Sequence, residues 1–359
     1  MRIAQIAPLF ESVPPRLYGG TERVVHWLTE SLVAAGHDVT LFASGDSRTS
    51  AKLVPVRDAA ARFVRNFEVN NAPYARMIEL VRRQADAFDI LHFHIDFHPF
   101  SVFTRQPTPF LTTLHGRLDQ EWVPSVYGLF PNAPLVSISD SQRAPAPTLP
   151  FAATILHGMP ADLLRPVPAE QSYFAFLGRI SPEKGILDAI RIARACGVPL
   201  KIAAKIGEED LPFHEEHVAP LLSEPGIEFI GEIDDSHKPA FLSGAKALLF
   251  PIAWPEPFGL VMIEAMACGC PVIAYNRGSV PEVIEPGRTG FIVSNVEEAV
   301  AAIAQLPSLP RARIRQRFDE RWTAQRMASD YVALYQRLIA ASLPSPAGGA
   351  GGGRHLKEQ

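Results

Sequence analysis

The sequence predicts an α/β protein built from two doubly wound parallel-sheet domains in tandem, and three observations support this fold class. Short apolar runs alternate with stretches of helical periodicity, which is typical of a parallel sheet covered by helices on both faces. A proline-rich stretch with little periodicity, MPADLLRPVPAE at 159–170, interrupts the alternation. The alternation then restarts, so this stretch is interpreted as a linker between two similar domains.

The strands predicted in the first half are short and apolar. They are Arg2–Pro8, Val39–Ala43, Phe88–Ile95, Phe110–Leu114, Leu135–Ile138 and Ala153–Leu156. A helix is predicted from Gly19 to Ala35, because apolar residues recur there at helical spacing and Gly36 ends the pattern. Residues 1–159 are therefore assigned to a first Rossmann-like domain.

The second half, assigned to residues 165–321, repeats the same alternation. Its predicted strands are Tyr173–Leu177, Leu200–Lys205, Ile227–Ile230, Ala247–Phe250 and Val272–Tyr275, and its predicted helices are Lys184–Cys196, Lys238–Leu242, Leu260–Cys268 and Val296–Gln305. From Arg311 to about Leu338 the apolar residues fit one long amphipathic helix. Residues 342–359 are rich in glycine and proline and then polar, which predicts a disordered tail.

The composition excludes several classes of protein, among them disordered, disulfide-rich and membrane-spanning ones. The 359 residues are 47% hydrophobic and 20% charged, so the chain can bury substantial cores. A net charge of −4 gives no general attraction to nucleic acid or to an anionic membrane. Three cysteines cannot form a disulfide framework. Neither a signal peptide nor a run of about 20 apolar residues is present, so the expected location is the cytoplasm.

Ligands of open parallel sheets bind beyond the carboxyl ends of the strands, so polar residues at those positions are candidates for a site in the cleft between the domains. Gly19 and Gly20 follow the first strand and open a helix, which suits a phosphate, although a plain capped loop fits equally well. The spacing matches neither the dinucleotide fingerprint nor the phosphate loop of nucleotide triphosphatases.

A second candidate is the turn GRISPEKG at 178–185, between a strand and a helix. Arg179 and Lys184 could bind a diphosphate together, Arg179 through its planar guanidinium and Lys184 as a point charge. A solvated surface turn is the structural alternative.

The most specific segment runs from Pro255 to Gly269. Glu256 lies in a proline-flanked loop, and Gly259 opens a helix whose first N–H groups are free to bind an anion. Glu264 lies within an otherwise apolar helix, where a carboxylate is costly to bury without partners. Sugar hydroxyls are suitable partners, and a helix residue turned to solvent is the alternative.

Histidines and cysteines were considered as ligands or reactive groups. His115 follows a strand and is either a site residue or a capped structural histidine. His92 and His94 project to one strand face, but no carboxylate pair stands at motif spacing beside them, so a metal site is not predicted. Cys268 and Cys270 lack a second cysteine pair and are interpreted as packing residues.

Taken together, these motifs resemble the retaining glycosyltransferases of family 4, which have the GT-B fold. GRISPEKG and the E-x7-E element from Glu256 to Glu264 carry the resemblance, and YGGTERVVHWLTESLVAAGHDVTLFASG (18–45), TLHGR (113–117) and RGSVPEVIEPGRTGFIV (277–293) support it. It spans roughly residues 1–340. It implies that the first domain binds mainly the acceptor, that the second binds mainly the donor, and that the helix at about 322–341 crosses back to the first domain.

The resemblance also implies individual roles. Arg179 and Lys184 bind the donor diphosphate, Glu264 binds the ribose hydroxyls, and Glu256 lies near the transferred sugar. His115 reaches the donor sugar and its carbonyl supports developing positive charge. The remaining donor-binding residues implied are Gly19, Gly20, Phe258, Gly259, Leu260, Val261 and, near the nucleobase, Ile233.

The family usually works without a metal, and no acidic metal-binding motif is seen here, so no cofactor is expected beyond a nucleotide-diphosphate sugar as co-substrate. UDP-glucose is the first guess for the donor. The acceptor could be a polysaccharide, a lipid-linked sugar or a small metabolite. Its binding site is expected to be shaped by residues 46–73 and by the loop 116–132. Peripheral contact with a membrane is left open. A sugar-nucleotide 2-epimerase of the same fold and a catalytically silent sugar-nucleotide-binding protein are the alternatives.

Overall fold

The structure is a computed structural model that describes residues 1–17, 19–62 and 67–342, and of residues 67–70 it describes only the backbone. Residues 343–359 of the predicted tail lie outside the described residues. The first half contains a seven-stranded parallel sheet. Its strands are β1 (Arg2–Ile6), β2 (Asp38–Ser44), β3 (Lys52–Arg57), β4 (Ile90–Phe93), β5 (Phe110–Thr113), β6 (Leu135–Ser137) and β7 (Phe151–Thr154).

Helices connect these strands. They are α1 (Gly20–Ala34), α2 (Phe67–Arg82), α3 (Phe100–Phe103), α4 (Trp122–Tyr127) and α5 (Asp140–Arg143). The strand order is β3-β2-β1-β4-β5-β6-β7, so the order reverses between β1 and β4. Loops diverge at such a point and leave a crevice beyond the carboxyl ends of the two strands.

The second half has a six-stranded parallel sheet in the order β10-β9-β8-β11-β12-β13. Its strands are β8 (Tyr173–Arg179), β9 (Leu200–Lys205), β10 (Ile227–Gly231), β11 (Ala245–Phe250), β12 (Val272–Tyr275) and β13 (Gly290–Val293). Its helices are α6 (Ile186–Cys196), α7 (Leu211–Phe213), α8 (Ala219–Leu222), α9 (Lys238–Ser243), α10 (Leu260–Ala267), α11 (Val280–Val283), α12 (Val296–Ile303) and α13 (Arg311–Arg321). The order reverses between β8 and β11, which creates a second crevice.

The final helix, α14 (Ala324–Ser342), returns to the first half. It packs against α1, and its Tyr331 and Tyr335 are buried below the first sheet, where they hydrogen-bond to side chains of that sheet. The segment before α14 meets the segment after β7, because Met159 N–H donates to the Trp322 carbonyl at 2.9 Å and Ala324 N–H donates to the Met159 carbonyl at 2.8 Å. Two stretches of chain therefore cross between the halves side by side.

The single helix expected from Arg311 to Leu338 was wrong, since α13 ends at Arg321 and α14 starts at Ala324. Trp322 is buried at the break, with its ring 5.9 Å from that of Phe258, and its carbonyl is used by Met159. Tertiary packing therefore overrides a helical pattern that continues through the break.

Two strands and seven helices of the described residues were missed from the sequence: β3, β13, α2 and six helices of three to six residues each. The edge strand β3 contains Pro55 and is mostly half-buried, β13 has only four residues and begins with a glycine, and α2 contains Pro73. In each of these three elements a proline or a glycine disfavours the strand or helix that forms, so the hydrophobic periodicity that would predict it is weak. Among the described residues, no helix is long and apolar enough to cross a membrane.

Candidate active site

The two crevices face each other and form one open cavity. All but one of the predicted site residues line it: Gly19, Gly20, His115, Lys184, Ile233, Glu256, Phe258, Gly259, Leu260, Val261 and Glu264. Arg179 is the exception. The halves come close here, since a Cβ added to Gly20 would be 3.8 Å from Leu260 Cδ1. Tyr18, beside the two glycines, lies outside the described residues.

Lys184 provides a cation in the lining of the cavity. It ends a short turn after β8, and its Nζ lies 2.5 Å from Glu256 Oε2. The same oxygen accepts a hydrogen bond from Trp254 Nε1 at 2.8 Å, and Lys184 Nζ lies 4.9 Å from the centre of the Trp254 ring. Lys184 is therefore held by a carboxylate and an aromatic ring while its side chain remains partly open to the cavity.

Arg179 is placed differently from Lys184. Its guanidinium donates to Glu183 at 2.6 Å and to Glu209 at 2.7 Å, and lies 3.4 Å from Asp210. Three carboxylates thus surround this cation in the structure. A role for Arg179 in binding a diphosphate stays a prediction, and it requires the guanidinium to leave some of these partners.

Glu264 is buried and paired. Its Oε1 accepts from Lys238 Nζ at 2.6 Å, and both side chains are less than a tenth exposed. Lys238 Nζ also lies 3.0 Å from Asp235, which in turn binds Arg23 of α1. Since one Lys238 amine neutralises Glu264, its second oxygen is the group that remains for a ligand hydroxyl. The solvent-facing alternative for Glu264 is incompatible with this burial.

The loop from Glu256 to Gly259 is fixed by two glycines. Gly259 has φ +78° and precedes α10, so the N–H groups at the start of that helix, whose first residues line the cavity, have no intrahelical partners. Gly278 has φ +54°, and a Cβ there would lie 2.3 Å from the Glu256 backbone. Only glycine lets the chain pack against Glu256 at this distance. Ser279 then donates from its hydroxyl to the Phe258 carbonyl at 2.8 Å.

A buried chain of hydrogen bonds leads from His115 to the last helix. His115 Nε2 lies 3.0 Å from His94 Nδ1, and His94 Nε2 lies 2.9 Å from Gln5 Oε1. Gln5 Nε2 donates to the Tyr335 hydroxyl at 3.1 Å, and His92 Nδ1 lies 2.7 Å from that hydroxyl. His115 is therefore supported by side chains from three elements: Gln5 of β1, His92 and His94 at the end of β4, and Tyr335 of α14.

These hydrogen bonds determine which ring nitrogen of His115 is a hydrogen-bond acceptor. Burial lowers the pKa of His94 well below its ordinary value and that of His115 to about 3, so both rings are neutral at pH 7. Gln5 Oε1 can only accept, so His94 carries its proton on Nε2 and its Nδ1 must accept from His115 Nε2. His115 Nδ1 is then left as a hydrogen-bond acceptor on a residue that lines the cavity.

Family models match both halves of the chain. Residues 18–143 match the model described as Glycosyltransferase Family 4, and residues 165–324 match the model described as Glycosyl transferases group 1. The chain belongs to glycosyltransferase family 4. The resemblance predicted from its motifs is thereby confirmed, and so is the prediction that the chain is an enzyme of the glycosyltransferase class.

Curated relatives and solved structures agree with this assignment. The glycosyltransferase is 29% identical to a glycogen synthase of Mycobacterium tuberculosis, over 91% of this chain and 88% of that one. It is 28% identical to a phosphatidyl-myo-inositol mannosyltransferase of Mycobacterium leprae, over 89% and 90%. The structure of Anabaena HepE in complex with UDP and glucose superposes with a TM-score of 0.73 at 18% identity, over 94% and 100%. The predicted GT-B fold with a helix that crosses back is confirmed.

Several residues of the glycosyltransferase site were not predicted. Lys238, Arg23, Lys205 and His157 line the cavity. Lys238 could have been found, because a carboxylate within an apolar helix requires a partner. The one-face placement of His92 and His94 is confirmed by their ring contact of 4.1 Å, but nothing in the sequence indicated Gln5 or Tyr335. No group of three or more potential metal ligands is found within the described part of the chain.

The buried histidines of the glycosyltransferase should make stability depend on pH. Burial lowers the pKa of His92 well below its ordinary value, so below about pH 6.5 the unfolded chain binds a proton that the folded protein does not. Stability therefore falls with falling pH, by about 1.4 kcal/mol per pH unit for this imidazole. Urea unfolding of wild type and His92→Gln between pH 7.5 and 5 should show this slope in the difference between the two proteins.

The difference isolates one imidazole from groups that titrate in the opposite direction. Asp96 is one of these, because desolvation raises its pKa to about 6. A gap between wild type and His92→Gln that stays constant over this pH range would contradict the prediction.

Proposed function

We propose that this glycosyltransferase is a retaining, metal-independent hexosyltransferase. It moves a hexose from a nucleotide-diphosphate sugar, with UDP-glucose as the first guess, to a hydroxyl group of an acceptor. One observation carries the proposal: Lys184, Glu256 and the first N–H groups of α10 meet within one cavity that both halves line. A cation and helix N–H groups together suit a diphosphate, and a carboxylate beside them suits sugar hydroxyls.

The chemistry requires charge stabilisation more than a nucleophile from the protein. The bond between C1 of the sugar and the diphosphate oxygen breaks, which leaves positive charge on the sugar and negative charge on the diphosphate. Lys184 and the N–H groups at Gly259–Val261 stabilise the diphosphate where its charge develops. The acceptor oxygen then bonds to C1 on the same face, and its proton passes to the departing phosphate oxygen, which retains the stereochemistry.

Side chains on both halves would position the donor. The free oxygen of Glu264 accepts from a ribose hydroxyl, while Glu232 and Ile233 border the space for the nucleobase. His115 Nδ1 accepts from a hydroxyl of the transferred sugar, in keeping with its neutral ring. HepE was crystallised with UDP and glucose, which supports UDP-glucose as the first donor to test.

A panel of nucleotide sugars tests this proposal. Thermal unfolding is measured with UDP, GDP, ADP and their glucose and mannose conjugates, and a ligand at 100 times its dissociation constant should add about 2.7 kcal/mol of stability. Sugar release from the stabilising donor is then followed in EDTA, and its anomeric configuration is determined by NMR. Stabilisation by one nucleotide series, with EDTA-resistant release of the retained anomer, is expected.

Four other results would contradict the proposal or favour one of its alternatives. No stabilisation by any of these nucleotides contradicts the proposed donor class. Activity that EDTA abolishes and a divalent ion restores contradicts metal independence. Conversion of the donor to its 2-epimer without acceptor points to the epimerase alternative, and tight binding without any turnover points to a silent binding protein.

A further inference from the structure

We propose that Asp96, Phe97 and Trp122 form the acceptor subsite and that the acceptor presents a pyranose ring to it. The inference rests on the proposed function, because it assigns the second substrate of the same cavity. Its residues lie in the two loops that follow the adjacent strands β4 and β5.

Chain geometry places these loops at the mouth of the donor cavity. His94 contacts His115, which lines the cavity, and Asp96 is only two residues further along, so the Cα atoms of residues 94 and 96 are at most about 7.6 Å apart. In the neighbouring loop, the Arg117 guanidinium lies 5.3 Å from the centre of the Trp254 ring, which also contacts Lys184. An acceptor held here would be next to the donor.

Two aromatic rings form an exposed surface at this position. Phe97 is 38% exposed and Trp122 is 41% exposed, and their ring centres are 5.6 Å apart at an angle of 76°. Both rings are held by neighbouring rings, since both contact Tyr127 and Phe97 also stacks on His98. Exposed aromatic side chains held in fixed positions at a cleft indicate a binding surface rather than incomplete burial.

Asp96 adds a carboxylate beside these rings. Among the residues that the structure describes, it is the only non-glycine residue with positive φ, at 50°. The residue is exposed, and within the described part of the chain its carboxylate has electrostatic neighbours in Tyr74 and Tyr127 but no hydrogen bond or ion pair. Desolvation raises the pKa of this carboxyl to about 6. A strained residue with an unused carboxylate at a cleft indicates a functional position.

The combination of groups favours a sugar ring over other acceptors. A pyranose has an apolar C–H face, which suits an aromatic ring, and hydroxyl groups at its edge, which suit a carboxylate. An alkyl alcohol would leave most of the carboxylate's capacity unused. An anionic headgroup would meet Asp96 rather than a cation, since Arg117 is already paired with Asp119 at 2.5 Å.

Transfer kinetics test the subsite. Methyl glucoside, galactoside and mannoside serve as acceptor probes with the donor found in the nucleotide panel, and hexan-1-ol serves as the apolar comparison. Trp122→Ala and Phe97→Ala should each raise the KM of the preferred glycoside at least tenfold, and Asp96→Asn should lower its kcat/KM by a similar factor. The donor KM and donor hydrolysis without acceptor should stay at wild-type values.

Val167→Ala is the matched control, because Val167 is 39% exposed in the segment between the two halves and lies outside both the subsite and the donor cavity. It should change neither KM. The inference is overturned if the three variants behave like Val167→Ala, or if hexan-1-ol is used as well as the glycosides. It is also overturned if wild type hydrolyses the donor but neither transfers to any glycoside nor shows a tryptophan fluorescence change with one. Failure of the proposed function would appear separately, as wild-type protein that binds no nucleotide sugar.

Discussion

Replacing Lys184 with alanine should reduce kcat by about 10²–10³-fold, the usual cost of removing one group that stabilises charge developing in a transition state. The residue offers its ammonium group to the cavity from a turn after β8, fixed by Glu256 and Trp254. Without it, the departing diphosphate meets the carboxylate of Glu256 with less compensation. Steady-state kinetics with saturating donor, together with circular dichroism, measure the effect and check the fold.

Two further variants make this result specific. Lys201→Ala removes a lysine that pairs with Glu228 at 3.1 Å on β9 and β10, away from the cavity, and should retain wild-type kcat. Lys184→Arg retains the positive charge but places it on a planar guanidinium instead of a compact ammonium group. This variant should recover part of the lost kcat. Near-wild-type kcat in Lys184→Ala would remove this residue from the proposed mechanism.

Replacing Glu264 with alanine should both abolish nucleotide stabilisation and destabilise the protein by about 3–5 kcal/mol, as expected when one partner of a buried ion pair is removed. Lys238 would keep Asp235 as a partner, which places the expected loss toward the lower end of this range. Urea unfolding gives the stability, and the thermal shift with the stabilising nucleotide gives the binding.

A double variant separates the two roles of Glu264. In Lys238→Met/Glu264→Leu the buried pair is replaced by apolar side chains of similar volume, which is often neutral or stabilising. Asp235 keeps Arg23 as a partner in this variant. Stability should recover while nucleotide stabilisation remains absent. Recovery of both would show that Glu264 contributes only to the fold, contrary to its proposed contact with the ribose.

The sequence was sufficient for the architecture because buried parallel strands leave a strong signal. β9 and β12 have the predicted bounds, and both contain buried apolar runs between helices. The signal fails where a strand lies at an edge or begins with glycine, as in β3 and β13. It also fails at Trp322, where packing against Phe258 and the hydrogen bond from Met159 coincide with the end of a helix whose local pattern continues.

The sequence likewise located the residues of the cavity that follow strands or glycines, but not the distant residues that contact them. Residues next to strand ends and glycines, such as Lys184 and Gly259, can be located from local pattern, and they line the cavity. The partners of these residues come from distant parts of the chain. Nothing local links Glu264 to Lys238, or His115 to Tyr335 through Gln5, because these pairings depend on how the sheets and the last helix pack.

The paired crossing at Met159 and Thr323 limits how the two halves can move. A single connecting segment would act as a swivel and allow rotation in several directions. Two adjacent segments, hydrogen-bonded to each other through Met159, resist most of these rotations, so we expect relative motion of the halves to be confined to an axis through the crossing. Gly158 lies close to the second segment, since a Cβ there would be 2.2 Å from the Thr323 carbonyl. A closure of the cleft about that axis is expected to keep Gly20 aligned with Leu260.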